Sequence, residues 1–310
     1  MHSLIITYNK ISICGKVLFI TCILFLVVLY FKGFNTLHTS IENFENDEQF
    51  QFKSNTIDIY DEFYADIYDQ LVFNKLKNDF EIIQIKKLID PTTKNKILDI
   101  GCGTGHHVAK LSHLENTEII GIDQSSSMIK KAKENYPTLN FKVQDIVDKN
   151  SFLINSFTHI LALYFTIYYF DRKDLFFGQC FDWLMPGGFI ILHLVDKKEF
   201  DPMVPSGNPL YVVSPQKYAK ERITRTTVNF NNFKYQSNFT TDKEENVSIF
   251  EEKFSFANGK SRKNEHKLFM EDKDVTLQIA TSIGFIVRGK ANLIKCGYES
   301  QYLYILMKPE

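Results

Sequence analysis

From Lys96 onward the chain alternates short apolar runs with stretches whose apolar residues recur at helical spacing. Lys96 to Ile100 reads as a strand that runs into glycines, and His106 to His113 as the helix behind it. Glu118 to Ile122 is a second strand ending at Asp123, followed by a helix over Ser125 to Asn135 with Ser125 as its N-cap. Leu139 to Val143 is a third strand, ending near Asp145. Phe157 to Leu163 is a fourth strand, and Asp171 to Leu184 is helical. Phe189 to Val195 is a fifth strand, entered through the turn Pro186-Gly187-Gly188. This alternation predicts an α/β fold, a parallel sheet with helices on both faces.

The pattern changes after Asp196. Pro202, Pro205 and Pro209 mark a loop. Thr226 to Thr240 and Val247 to Ala257 then alternate polar residues with Phe, Tyr and Val, as antiparallel strands do. Lys260 to Lys267 reads as a basic turn or strand edge, with Lys260, Arg262, Lys263 and Lys267 on a solvated face. Asp272 to Ile283 is helical, and Phe285 to Lys295 and Gln301 to Met307 close the sheet across a turn at Gly297. Residues 197–270 are therefore an insertion after the fifth strand.

The N-terminus follows neither period. Val17 to Phe31 is an uncharged run of 15 residues. As a helix it spans about 22 Å, and extension back past Lys16 to Ile11 brings it near the roughly 30 Å of a bilayer core. It is apolar all round, unlike a helix packed on a soluble core. No small-residue cleavage pattern follows it, which favours a single-pass membrane anchor over a cleaved signal. Residues 1–35 are thus expected as an anchor, 36–55 as a polar stalk, and 56–310 as the main domain.

The 310 residues carry 36 basic and 37 acidic side chains, for a net charge of −1. That balance provides no basic field for nucleic acid, and no RNA- or DNA-binding motif is present. Five cysteines form no CxxC pair and no Cys/His zinc spacing, so no metal is expected.

The most informative stretch is Ile97-Leu98-Asp99-Ile100-Gly101-Cys102-Gly103-Thr104-Gly105. Glycines after a strand let the backbone turn sharply and approach a ligand. The spacing is G-x-G-x-G rather than the dinucleotide G-x-G-x-x-G, which disfavours a nicotinamide enzyme, and no Gly-Lys-Ser/Thr follows as in a P-loop. The stretch resembles the first motif of class I S-adenosylmethionine-dependent methyltransferases. Ile119-Ile120-Gly121-Ile122-Asp123, Ser127-Met128-Ile129 with Ala132, Val143-Gln144-Asp145-Ile146 and Leu184-Met185-Pro186-Gly187-Gly188 resemble the family's later segments, in the same order.

The resemblance implies a doubly wound, mostly parallel, seven-stranded Rossmann-like sheet, carrying the antiparallel insertion and preceded by the hydrophobic N-terminal helix. It implies S-adenosylmethionine as cofactor, with Asp99, Gly101, Gly103 and Gly105 around its methionine end, Asp123 on the ribose, and Asp145 and Ile146 at the adenine. A single Asp at a strand end ordinarily caps a helix or turn; three after consecutive strands suit a ligand with an ammonium, a diol and an amine. Tyr60 and Tyr64, at helical spacing with Tyr68, resemble the helix that covers the cofactor in many members. His193, at the end of the fifth strand, is a candidate base, with a buried structural His as the ordinary alternative. His159 departs from the family, which commonly places an acid there, and Leu163 to Phe170 lacks the Asn/Asp-Pro-Pro-Tyr-type motif of base-methylating enzymes. The expected activity is methyl transfer to a small molecule, lipid or protein; the alternative is a catalytically silent cofactor-binding protein. Because the cofactor is made in the cytosol, the main domain is expected on that side of the membrane, although Lys10 and Lys16 before the span favour the other orientation.

Overall fold

The computed structural model describes residues 49–148, 151–207, 215–241 and 246–310, together with Thr21. Among them no helix is long and apolar enough to cross a membrane. The expected anchor, Val17 to Phe31, lies outside the described residues apart from Thr21. The unit Glu48–Glu310 holds two sheets.

The main sheet comprises β2 (Asn95–Ile100), β3 (Thr117–Asp123), β4 (Asn140–Val143), β5 (Phe157–Ala162), β6 (Leu184–Val195), β11 (Ile286–Asn292) and β12 (Gln301–Met307). Their order is β11-β12-β6-β5-β2-β3-β4. The pairs β4–β3, β3–β2, β2–β5 and β5–β6 are parallel; β12 is antiparallel to both β6 and β11. The sheet is therefore mixed, with β12 the strand that runs against the rest. Helices α1 (Glu62–Val72), α2 (Lys75–Lys86), α3 (His106–Leu111), α4 (Ser126–Asn135), α5 (Lys173–Trp183) and α6 (Lys273–Ile283) complete the unit. Ile82, Ile85, Val108, Leu111, Ile129 and Ala132 pack on one face of the sheet. Phe176, Phe177, Trp183 and Ala280 pack on the other. Burial on both faces is what the near-continuous apolar runs of β2 and β5 demand.

The second sheet, ordered β1-β10-β9-β8-β7, is the insertion plus one strand from outside it. β7 (Arg225–Asn229), β8 (Phe233–Thr241), β9 (Val247–Phe256) and β10 (Ser261–Phe269) are antiparallel neighbours. β1 (Phe50–Lys53) adds to the edge, parallel to β10. Two expectations are corrected here. The end of the stalk is a strand: its outward-facing sequence concealed a pairing with β10, and Phe50 and Phe52 stay half exposed. The basic segment, expected as a turn or strand edge with its charges on a solvated face, is a full strand paired on both sides. Its alternation turns Arg262, Asn264 and His266 inward with Leu268, and Arg262 is 1% exposed.

Arg262 also joins the insertion to the helices. Its Nη1 donates to both carboxylate oxygens of Asp61 at 2.9 Å and its Nη2 to the Ile59 carbonyl at 2.7 Å. Asp61 in turn caps α1 by accepting from the Tyr64 amide and pairs with Lys53 of β1. One carboxylate thereby ties β1, α1 and β10 together.

Candidate functional site

Strand order reverses around β2, between its neighbours β3 and β5, and open α/β sheets bind ligands at the carboxyl ends of strands at such a switch point. A cavity lies there. Its walls come from the loops after β2, β3, β4 and β5, from α1, and from the inner face of the insertion sheet.

The glycine loop forms its floor. Gly101, Gly103 and Gly105 all have positive φ, at 68°, 54° and 91°. Gly103 faces open space, since a Cβ there would meet only the Tyr68 ring at 3.5 Å. Its conformation keeps backbone, rather than side chain, against whatever fills the cavity. Gly105 serves packing instead: a Cβ would stand 2.7 Å from the Phe141 ring, and Gly105 does not line the cavity. It is placed outside the expected binding set, as the residue that lets α3 start close to β4. Gly121 is similarly crowded, with Cys102, Phe141 and Val108 each 2.9 Å from a would-be Cβ.

Asp99, Gly101, Gly103, Asp123, Asp145 and Ile146 all line the cavity. Asp123 accepts from the amides of Gly103 at 3.1 Å and Ser125 at 2.9 Å. Burial raises its pKa to about 6 against the pull of those amides. Asp99, 3% exposed, is raised further, to about 7; burial is the main cause, His107 opposes it, and the neighbouring charges of Asp123 and Glu81 add to it. Two carboxyls held in a dry pocket gain most from a cation or a hydrogen-bond donor. Asp145 is exposed and accepts from the Val147 amide, while Ile146 is buried beneath it.

A second cluster, unforeseen in the sequence, braces the loop. Asp69 of α1 accepts from Thr104 Oγ1 at 2.7 Å and is hydrogen-bonded to His106 Nε2 at 2.9 Å. Lys77 and Glu81 of α2 pair at 2.7 Å, both buried, and Glu81 also meets His107 at 3.0 Å. Burial would raise Glu81, but Lys77 and His107 bring it down to about 2. The Lys77 ammonium also lies 5.0 Å from the Tyr164 ring.

Tyr60, Tyr64 and Tyr68 line the cavity together with Tyr169 and His266. Tyr60 Oη is 2.8 Å from Tyr169 Oη, and Tyr64 Oη donates to Glu252 at 2.9 Å. Tyr60 is also tied to the loop after Asp123, because Ser125 Oγ donates to its carbonyl. Glu252 and His266 escaped the sequence reading. The available signal was the period of two in β10, which puts His266 on the same face as Leu268.

His193 is a correction. It is fully buried on β6, behind the rings of Tyr164 and Phe165, and does not line the cavity. Burial, reinforced by the Lys77 charge, lowers its pKa to about 3. It is held neutral one layer below the surface that an acceptor would touch. His159 is likewise internal, stacked on Phe189 and hydrogen-bonded to the Leu88 carbonyl.

Residues 97–188 match a family model described as a methyltransferase domain. The 235L protein of Invertebrate iridescent virus 6, provisionally named a methyltransferase, is 42% identical over 77 residues, 24% of this chain and 29% of its own length. The chain spans less than two thirds of the length of the curated relatives it matches. Among solved structures, the CcbJ methyltransferase of Streptomyces caelestis superposes with a TM-score of 0.62 at 14% identity, covering 81% of this chain and 98% of that one. CalS10 of Micromonospora echinaspora, an amino pentose methyltransferase with S-adenosylmethionine bound, gives 0.53 at 15% identity, covering 75% and 90%. The glycine loop and the acids at the strand ends fall within or beside the matched residues, on the fold these structures share. The matched residues 97–188 are a methyltransferase domain, and the unit around them has the fold of these solved methyltransferases.

Proposed function

We propose that this chain binds S-adenosylmethionine over the Gly101–Gly103 loop and transfers its methyl group to a small molecule held under the insertion sheet. The observation that carries this reading is the continuity of one cavity from Asp123 and Asp145 at one end to Phe239, Phe250 and His266 at the other. The residues fit the cofactor. Asp99 suits its ammonium, Asp123 its ribose hydroxyls, Ile146 the adenine face and Asp145 the adenine amine. When bound, the sulfonium supplies an activated methyl group, so the protein's task is alignment of a nucleophile and exclusion of water. Phe200, Phe239, Phe250 and Leu268 provide the exclusion. That CalS10 is named for an amino sugar supports a small acceptor.

We further propose that Val17 to Phe31 holds the domain at a membrane on its cytosolic side. The uncharged run and the absence of a disulfide pattern support this. The sequons at Asn238 and Asn246 test it: full-length protein from a eukaryotic cell should pellet with membranes and resist glycosidase, and a glycosylated product would reverse the orientation.

Calorimetry with S-adenosylhomocysteine tests the central reading. Saturable binding is expected, with tritium then moving from methyl-labelled S-adenosylmethionine into a small-molecule extract. Preference for NAD over S-adenosylhomocysteine would sink it. Binding without label transfer into any extract would leave a silent cofactor-binding protein.

A further inference from the structure

The insertion sheet carries a buried carboxylate with more hydrogen-bond donors around it than a structural ion pair requires. Glu252 of β9 is 1% exposed. Its Oε1 accepts from Tyr64 Oη and Tyr235 Oη, each at 2.9 Å. Its Oε2 accepts from Asn264 Nδ2 at 3.1 Å and is 2.8 Å from His266 Nε2. On the far side of the imidazole, His266 Nδ1 is 2.9 Å from Tyr169 Oη, which is 2.8 Å from Tyr60 Oη.

Donor and acceptor chemistry gives this chain a direction. Tyr64, Tyr235 and Asn264 all donate to the Glu252 carboxyl, so it is ionised and only accepts. His266 therefore carries a proton on Nε2, and in its neutral form it presents Nδ1 as an acceptor, so that Tyr169 can donate to it and Tyr60 to Tyr169. The lone pairs left over are those of the Tyr60 oxygen, on the cavity wall between the loop after Asp123 and the insertion. In that form the chain has one open acceptor at the cavity and an imidazole backed by a carboxylate at its end, an arrangement that can receive a proton.

The surroundings point to what delivers it. Tyr60, Tyr64, Tyr68 and Tyr169 gather with ring centroids 5.2 to 6.2 Å apart around Tyr60. The part of the lining contributed by residues 200–268 includes Asp201 and, among the described residues, no lysine or arginine. Aromatic faces beside an acid suit an ammonium, and the nearby cations are already paired: Lys77, which also lines the cavity, with Glu81, and Arg262, 6.0 Å from the Tyr64 ring, with Asp61. The groups facing His266 are Glu252 from β9, Tyr169 from the turn after β5, Tyr60 and Tyr64 from the α1 region, and the Phe250 ring. Arg262, on the same strand, is occupied by Asp61 and Asn264.

We propose that the acceptor is a primary or secondary amine and that Tyr60, Tyr169, His266 and Glu252 form the relay that deprotonates it. This rests on the methyl-transfer reading above. The bound ammonium gives one proton to Tyr60, Tyr60 passes its own to Tyr169, and Tyr169 passes its own to His266 Nδ1, leaving an imidazolium against Glu252. The freed nitrogen lone pair then attacks the methyl carbon. The N–C bond forms, the S–C bond breaks with its electron pair going to sulfur, and the product is a methylated ammonium plus a neutral thioether. The imidazolium returns its proton to water after release. Tyr60 touches the acceptor; the other three act through it.

Two measurements test this. In protein labelled with 15N-histidine and saturated with S-adenosylhomocysteine, His266, assigned from His266→Gln, should appear as the neutral Nε2–H tautomer. Tyr169→Phe should leave that tautomer in place but move the Nδ1 resonance toward that of a free acceptor. An Nδ1–H tautomer would reverse the chain and overturn the relay. The second measurement is label transfer from methyl-tritiated S-adenosylmethionine to a panel of amines, including ethanolamine and glucosamine, and to their hydroxyl counterparts. Label should enter amines alone. Tyr169→Phe should lower kcat on the best amine about 100-fold and remove the acidic limb of its pH profile, with S-adenosylhomocysteine affinity within about twofold of wild type. Tyr169→Phe keeps the ring, so it remains informative where His266→Gln does not fold. Protein that binds S-adenosylhomocysteine but labels hydroxyls, or labels no amine, overturns the relay alone. Protein that does not bind it overturns the methyl-transfer reading, and the relay with it.

Discussion

The two ends of the cavity are built by different means. At the end proposed to hold the cofactor, the lining residues come from short segments that follow consecutive strands, the glycine loop among them. Gly101, Gly103, Asp123 and Asp145 need only the parallel order of β2, β3 and β4 to converge. At the insertion end, the surface is side chain, and its polar members include Tyr60, Tyr169 and His266, up to 206 residues apart in the chain, with Glu252 buried behind them. The first end is fixed by backbone geometry and tolerates varied neighbours. The second depends on a hydrogen-bond network in which each member satisfies the next, so it can be tuned to one acceptor but fails if a member is lost.

That contrast predicts separable damage. The largest effect is expected at the joint of the insertion. Arg262→Met leaves Asp61 and Asn264 short of a buried donor, which should cost about 2–3 kcal/mol of stability, discounted because Asp61 is partly exposed and keeps Lys53. A drop of roughly 5–10 °C in melting temperature follows for a unit of this size, with S-adenosylhomocysteine affinity nearly unchanged in the folded protein. An unaltered melt would mean that the insertion is held by its apolar contacts alone.

Asp123→Ala should do the reverse. Loss of charge-assisted hydrogen bonds should cost about 1.5–3 kcal/mol of cofactor affinity, roughly 10- to 100-fold in Kd by calorimetry, with little change in melting. Affinity that survives the substitution would take Asp123 off the ribose and break the division drawn above.

The smallest effect is a pH dependence confined to the cofactor end. Carboxyls with raised pKa contribute stability that is present in full below their unfolded value of about 3.9 and lost as pH rises, through about 6 for Asp123 and about 7 for Asp99. A ligand ammonium reverses that loss at Asp99, because it favours the ionised form. S-adenosylhomocysteine affinity should therefore rise about tenfold from pH 6 to pH 8, the change in ionised fraction of a group with pKa near 7. Asp99→Asn should flatten the profile. If the variant keeps the full slope, the titrating group lies elsewhere.

The sequence and the structure agree most closely where function depends on neighbours in the chain. The strands β2 to β6, the glycine loop and Asp99, Asp123 and Asp145 were all legible, because a strand, a turn and the residue just past them are local statements. Gly105 was read as a binding residue on the same motif, yet its role is decided by Phe141, which approaches from another strand. His193 had the right position along its strand, but a strand residue faces one layer or the other. Here the Tyr164 and Phe165 rings stand between it and the cavity. Arg262 read as part of a solvated basic run because the sequence showed charge density, while the burial of every second residue in β10 depends on the sheet packing over α1.

The chain by itself therefore determined the α/β order, the glycine loop and the acids at the strand ends. Each arises from hydrophobic period, glycine conformation and a few adjacent residues. Only the tertiary structure decided that β1 joins the insertion, that His193 is enclosed, and that Glu252, His266, Tyr169 and Tyr60 form one hydrogen-bonded line into the cavity. Those facts depend on which distant surfaces meet, and hydrogen-bond partnership at 3 Å is a property of packing that no local pattern of residues encodes.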